Sequence, residues 1–490
     1  MPTEEPNNVP EGGGVVPDGD VKPGKQVPEG QKGAARDSLL ARRLGRDWTQ
    51  GSILKNLLQL SWPMAITQSL MSLGPTIDMV WVGKLGAVAV AGVGVSGVVV
   101  QLAQGVMMGF TQGMRALISR AIGAKDMDAA HLVAQQAVVV SAAFAVLMAL
   151  IGHFLGQRIV SLITSDPDII RLGTIYLRIE FIGGATMTFR MMMDGIMQAS
   201  GDSVNPMWIT IVYRIFHIVL CPFLIFGWWI FPQMGVRGAA YTGIIAQSLG
   251  IILGLRVLLG ARSRLQLTFK DFRLAPDVIW RIIRIGFPAS VAGIQRSLNQ
   301  FFLQIFMAPF GAAALAAHVI VQRLEMFIMM PAMSFGQGAG VLVGQNLGAK
   351  KPERAQKSAW SAVGVVEFFA IIFSLVMFIW TRPVIRLFNT DLAMDAIAIQ
   401  FIQIAVVGWL LMGFQFVLMS CLQGAGDTFP TMIINIVTTW TITMPLAYYL
   451  PKYTGFGAAS IRWAMTASGI VNALAMIIYF RMGKWKTRKV

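Results

Sequence analysis

Charge is scarce in this chain. Only 13% of its 490 residues are Asp, Glu, Lys or Arg, while 55% are hydrophobic. A water-soluble domain carries about 25% charged residues, so a water-facing globule is excluded and lipid becomes the expected solvent. Acidic residues are the scarcer sign, 24 against 40 basic ones. Cysteine occurs twice, at Cys221 and Cys421, which excludes a disulfide framework and leaves two buried thiols. The four histidines, His131, His153, His217 and His318, are scattered over separate apolar runs without ligand spacing. Metal sites, cofactors, catalytic residues and a membrane-embedded enzyme are therefore not expected. Residues 1–48 lack any apolar run and are rich in Pro, Gly and charge. They read as a disordered tail without the h-region of a cleavable signal peptide.

What the chain does have is a repeat. A shift of 225 positions lays Ser61-Trp62-Pro63 on Gly286-Phe287-Pro288, Leu85-Gly86-Ala87 on Phe310-Gly311-Ala312, and Gln112-Gly113 on Gln337-Gly338. The same shift pairs Gly123-Ala124-Lys125 with Gly348-Ala349-Lys350, and Gly201-Asp202 with Gly426-Asp427. The offset falls to about 219 where Gly238-Ala239-Ala240 meets Gly457-Ala458-Ala459, so one loop is shorter in the second copy. A repeat this long is a duplicated domain. Apolar runs of membrane-spanning length recur at 53–82, 88–122, 130–163, 169–199, 205–231 and 236–259, then at 278–308, 312–347, 355–379, 393–422, 429–450 and 456–480. The expected fold is an all-α membrane protein of twelve transmembrane helices in two six-helix lobes. Six spans per copy is an even number, so the copies form a parallel repeat about an axis along the membrane normal. The domain reading is a cytoplasmic tail at 1–48, a first lobe at 49–262, a connector at 263–277, a second lobe at 278–482 and a basic tail at 483–490.

Basic residues crowd the tail (Arg42, Arg43, Arg46), the loop at Lys125, the connector (Arg256, Arg262, Arg264, Lys270, Arg273), the loop at Lys350, Lys351 and Arg354, and the C-terminus from Lys484 to Lys489. The opposite loops carry fewer, chiefly Lys84, Arg158, Arg382, Arg386 and Lys452. The positive-inside rule places the crowded loops and both termini in the cytoplasm of a plasma membrane, the inner membrane if bacterial. The net charge of +16 is then a topology signal and not a nucleic-acid footprint.

Three stretches carry a resemblance. They are Asp78 to Gly86 at the end of the first helix, Ala316-Ala317-His318 through Arg323-Leu324-Glu325 to Gly344 and Arg354, and the paired corners Gln198 to Asp202 and Gln423 to Asp427. Together they resemble the multidrug and toxic compound extrusion (MATE) family over nearly all residues after about 50. The resemblance implies a V-shaped central cavity and an antiporter that exports small organic compounds, often cationic and amphipathic, in exchange for protons or sodium. A monomer is the expected working unit. It also implies a cation or proton site at Asp78. A flippase for lipids or lipid-linked saccharides of the same superfamily is the alternative; it would need a more cationic cavity.

Read from the residues, an ionisable group within a span is costly unless paired, hydrated or titrating. Asp78 shares a helix face with Gln68, Met71 and Pro75, either as an intramembrane carboxylate or as a solvated helix end. Where the family carries an Asn and an Asp on the fifth helix, this chain has His217 and Cys221 before Pro222. Asp194 follows Arg190 by one turn on the fourth helix and could meet Arg214, one turn before His217 on the fifth. Asp194, Arg214 and His217 are either a structural ion-pair cluster or part of a proton relay, and a histidine beside carboxylates favours protons over sodium. Substrate contact is expected from Gln68, Met71, Met193, Arg296, Asn299, Gln300 and Met329. Arg296 and Gln300 share one helix face, and thioethers adapt to varied apolar ligands. Glu325 or Glu367 could instead neutralise Arg296.

Overall fold

The computed structural model describes residues 46–260, 263–270, 272–386 and 392–488. The tail up to residue 45, and with it Arg42 and Arg43, lies outside the described residues, as do Arg262 and Lys489. Long helices follow one another without a strand among the described residues. They are α1 (Ile53–Gly83), α2 (Ala87–Gly123), α3 (Met127–Ser161), α4 (Pro167–Ala199), α5 (Val204–Phe226), α6 (Val236–Leu259), α7 (Pro276–Met307), α8 (Ala312–Gly348) and α9 (Pro352–Ile379). The short α10 (Thr381–Arg386) leads to α11 (Leu392–Trp409), α12 (Met412–Gly424), α13 (Thr428–Val437), α14 (Met444–Tyr453) and α15 (Ala459–Met482).

α1, α3 and α4 start where the sequence offers a side-chain partner for their free amides. Asp126 accepts from the Ala129 amide at 2.9 Å ahead of α3, and Asp166 accepts from Asp168 at 2.9 Å and Ile169 at 3.2 Å ahead of α4, with Pro167 opening the first turn. The expected single span at 393–422 is broken: Met394–Trp409 and Met412–Gly424 meet at 44°. Glu367 of α9 accepts from the Phe414 amide at 3.1 Å, so its carboxylate caps the restarted helix and satisfies a backbone group that the break exposes. Between α13 and α14 the helix widens over Thr438–Thr443 to i→i+5 bonding.

Among the described residues, eight helices are long and apolar enough to cross a membrane, and the bent pair makes a ninth. The remaining long helices are α1, α4 and α7, of 31, 33 and 32 residues. They carry Asp78, the Arg190 and Asp194 pair, and Arg296. Their polarity has a local cause, because these are the helices in which the candidate site residues concentrate.

Helix packing is reciprocal between the copies: α1 lies on α8, α7 lies on α2, and α2 lies on α8. The closest approach is where α2 and α8 end. A Cβ on Gly123 would run into the Gln345 backbone, and one on Gly348 into the Arg120 backbone, so both glycines are there for contact between the copies. The left-handed residues of these two corners are the lysines that follow, Lys125 at φ 61° and Lys350 at φ 57°. At the other pair of corners glycine itself takes positive φ, Gly201 at 92° and Gly426 at 80°. Arg120 donates to the Ala425 carbonyl at 2.8 Å and Gln345 to the Ala199 carbonyl at 3.0 Å, equivalent bonds that tie each copy to the other.

Candidate functional site

In the first copy the site is built around a proline. Pro75 has no amide hydrogen, so the carbonyl four residues earlier, that of Met71, loses its partner within α1. Arg214 of α5 supplies one, donating from Nη2 at 3.3 Å, and its guanidinium lies against Gly74, where a Cβ would strike it. Three residues beyond Pro75, Asp78 turns toward α5. Its Oδ1 faces His217 Nε2 at 3.3 Å and accepts from the Cys221 thiol at 3.5 Å. His217 is 3% exposed and the Asp78 side chain 17%, so this carboxylate is inside the bundle and is not a solvated helix end. Glu180 of α4 takes a hydrogen bond from Tyr176 and is close enough to feel the Asp78 charge.

Asp194 does not meet Arg214. It pairs with Arg190 one turn back on its own helix at 2.6 Å, with side-chain exposures of 8% and 2%. Arg190 also lies 4.6 Å over the Tyr213 ring and reaches the Met71 sulfur at 3.5 Å. The i to i+4 spacing closes this pair within one helix, while Arg214 is drawn away by the unpartnered Met71 carbonyl. Met193 is 2% exposed, within the core against Gly254 of α6, and faces no open space. Gln68, Met71, Asn299, Gln300 and Met329 are half-buried, and Arg296 is exposed.

In the second copy the acids are spent elsewhere. Glu325 receives Arg462 Nη1 at 2.7 Å, Arg462 Nη2 donates to the His318 carbonyl at 2.9 Å, and Glu367 caps α12. Neither neutralises Arg296, which lies 5.3 Å over the Phe416 ring. Gln300 donates to Gln322 at 3.4 Å, and Gln322 meets His318 Nε2 at 3.1 Å.

The MatE family model matches this chain twice, over residues 63–223 and 288–449. The two matches begin on Pro63 and Pro288, residues equivalent under the repeat. The chain belongs to the MatE family. Membership makes it a multi-pass membrane transporter and not an enzyme. Among MatE relatives it is 24% identical over 444 residues to the probable multidrug resistance protein YoeA of Bacillus subtilis, covering 90% of this chain and 96% of that one. It is 26% identical over 451 residues to the probable multidrug resistance protein NorM of Thermotoga maritima, at coverages of 89% and 94%. A transporter of the MOP superfamily from Pyrococcus furiosus, described by the reverse polarity of its binding pocket, shares the fold at a TM-score of 0.83 and 22% identity, covering 90% of this chain and 98% of that one. A MATE family transporter in an outward-facing conformation matches at the same TM-score and identity, over 89% and 96%.

Sequence reasoning missed Glu180, Arg462 and Glu367's capping role. Glu180 carries the same signal as Asp194, an acid within an apolar helix, one turn after Tyr176. Arg462 had no such cue, since its partner lies 137 residues away in sequence.

Proposed function

We propose that this MatE chain is a secondary antiporter that exports organic compounds from the cytoplasm in exchange for protons, working as a single chain with Asp78 as the coupling carboxylate. The observation that carries this reading is the half-buried Asp78, faced by His217 and Cys221 and neighboured by Glu180. No lysine or arginine side chain bonds to Asp78 among the described residues. A carboxylate in that position is held at a cost that protonation relieves. Protons are favoured over sodium because the nearest partners of Asp78 are an imidazole nitrogen and a thiol, whereas hard cations select oxygen ligands.

The proposed architecture counts α1, α4 and α7 as spans despite their charges, giving twelve in two six-helix lobes around a V-shaped cavity. Contacts between α2 and α8 at Gly123 and Gly348 support closure at the end that carries Lys125, Lys350, Lys351 and Arg354, which the positive-inside rule assigns to the cytoplasm. Both termini then lie on that side, and residues 263–277 connect the lobes there. The cavity opens outward in this state.

The deciding experiment uses the protein in proteoliposomes loaded with a fluorescent drug and energised in turn by a pH gradient and by a sodium gradient. Proton-driven transport that vanishes in Asp78→Asn is expected. Transport driven by sodium alone would reassign the ion, and full gradient-driven transport by a folded Asp78→Asn protein would remove Asp78 from the mechanism.

A further inference from the structure

Arg296 is an ionisable residue on a long helix that this antiport scheme leaves without a task. Its direction follows from the face of α7 on which it stands. Trp280, Phe287, Leu298, Phe301 and Ile305 form the exposed apolar stripe of that helix, and at 3.6 residues per turn Arg296 projects about 160° from Trp280. Its neighbours along the helix point the same way: Gly293 packs on Gly105 of α2, and Gln300 reaches Gln322 of α8. Phe416 of α12 lies beneath the guanidinium at 5.3 Å. The exposure of Arg296 is therefore toward the interior of the protein, away from the stripe that lipid would cover.

No described residue accepts a hydrogen bond from it. Arg190 and Arg462 are each bonded to a carboxylate, at 2.6 and 2.7 Å, and Arg214 has the Met71 carbonyl. Arg115 is held by Gln337 at 3.0 Å and by Gln198. Among the described residues Arg296 has an aromatic face and no oxygen. Glu325, one turn from Gln322, is already spent on Arg462. A cation inside a membrane protein is stable when paired or hydrated, and a guanidinium is the side chain that grips a carboxylate through two parallel bonds.

We infer that the space between α7, α8 and α12 is an anion subsite of the substrate cavity, and that it takes the carboxylate of an amphipathic organic acid or zwitterion. Arg296 binds the carboxylate, the Gln300 and Gln322 amides flank it, and Phe416, Met329 and Met330 cover its apolar body. The inference rests on the exporter reading and narrows it, since compounds of purely cationic character would be repelled at this point.

The test compares pyrenebutyrate with pyrenebutyl-trimethylammonium, one apolar body with opposite charge, binding to the purified protein in phosphatidylcholine nanodiscs. The wild-type protein should bind the carboxylate about tenfold or more tightly than the ammonium compound, and this arm needs no variant. Arg296→Gln should weaken the carboxylate by about tenfold or more while leaving the ammonium compound unchanged or improved, and Arg296→Lys should fall between them. Equal binding of the two probes by the wild type would overturn the inference. So would unchanged carboxylate affinity in an Arg296→Gln protein that melts normally. Replacing phosphatidylcholine with phosphatidylglycerol distinguishes the two sources of an anion: displacement of pyrenebutyrate by that lipid would give the subsite to a headgroup and overturn its assignment to an organic acid. Gradient-driven transport is measured separately. An Arg296→Gln protein that keeps both proton-driven export and the wild-type preference for the carboxylate sinks the subsite and spares the antiport reading, whereas absence of any gradient response in the wild type sinks the antiport reading itself.

Discussion

The two copies of the repeat share a scaffold and differ in their charges. Pro63 and Pro288, Gly123 and Gly348, and Asp202 and Asp427 occupy equivalent places and do equivalent structural work at kinks, contacts and corners. The charged site residues have no such counterparts. Asp78 corresponds to Leu303, which is 1% exposed in the apolar core of the second copy, Glu180 to Ala405, and Asp194 to Met419. Met71, on whose carbonyl Arg214 docks, corresponds to Arg296. Among the described residues Asp78 and Glu180 of the first copy are bonded to no lysine or arginine, and Arg296 of the second is bonded to no acid. Duplication preserved what the backbone needs; under the proposed function the chemistry then specialised, one half for the coupling ion and the other for the substrate.

The most severe test of this division is a pair of equivalent substitutions. Asp78→Asn should leave a folded protein whose gradient-driven transport falls by about a hundredfold or more, because a neutral amide removes the exchangeable charge without stranding a partner. Leu303→Ala, at the matching place, should keep coupling and lose about 2–5 kcal/mol of stability through the cavity it leaves. Transport and thermal melting read the two effects separately. If Leu303→Ala uncoupled transport as thoroughly as Asp78→Asn, the division of labour would be wrong.

A smaller effect sharpens the comparison by asking where the copies should behave alike. Arg190 with Asp194 and Arg462 with Glu325 are both buried ion pairs, one per copy. Asp194→Asn and Glu325→Gln each strand a cation that is at most 2% exposed, and each should cost about 3–5 kcal/mol. The doubles Asp194→Asn with Arg190→Met, and Glu325→Gln with Arg462→Met, should recover most of that loss in thermal melting. A double in the first copy that melts normally yet transports without coupling would move Asp194 from the scaffold to the relay.

Smaller again is the bond between Arg214 and the carbonyl that Pro75 frees. Arg214→Met should cost about 1.5–3 kcal/mol in the natural background. It should cost less in Pro75→Ala, where α1 regains the amide that satisfies Met71. A coupling of about 1 kcal/mol in that cycle is expected, and additivity would show that the proline and the arginine are unrelated.

These expectations also mark how far the sequence could be read. The repeat, its offset and the helix boundaries of the first copy were legible because periodic hydrophobicity and Gly and Pro corners are local signals. Asp78 was legible as an acid in an apolar helix. Its partners were legible only as residue types, since whether Arg214 turns to Asp194 or to Met71 depends on a carbonyl freed by Pro75 on another helix. Glu367 reads as a candidate partner of Arg296 until the break at residues 409–412 gives it the Phe414 amide to cap. The Arg462 and Glu325 pair joins α15 to α8, and no pattern within either helix announces it. Local chemistry was visible, and long-range pairing was not.

The smallest effect compares how the first helix of each copy is anchored at its start. Ahead of α1, Asp47 accepts from the Thr49 amide and hydroxyl, both at 2.8 Å. Lys351 holds the Thr49 carbonyl at 3.1 Å, and Arg354 holds the carbonyls of Gln50 and Gly51 at 2.9 and 2.8 Å. Ahead of α7 the work is done by a neutral amide: Gln136 accepts from the Ala275 amide at 3.1 Å and donates to the Arg273 carbonyl at 2.8 Å. Partial burial alone would raise the Asp47 carboxyl, but the bonds from Thr49 and the charges of Lys351 and Arg264 outweigh it and hold it below the usual carboxylate range. A carboxyl lowered in the folded state stabilises that state above its unfolded pKa of about 3.9, and the stabilisation is lost as pH falls through the lower folded value. The group is largely solvated, so the contribution is about 0.2–1 kcal/mol. Hydrogen exchange, corrected for its intrinsic pH dependence, should therefore show protection near residues 47–52 falling below about pH 4, while protection near residues 275–280 stays flat. Asp47→Asn should abolish the difference, and equal loosening of both segments on acidification would show that the two anchors are not electrostatically distinct.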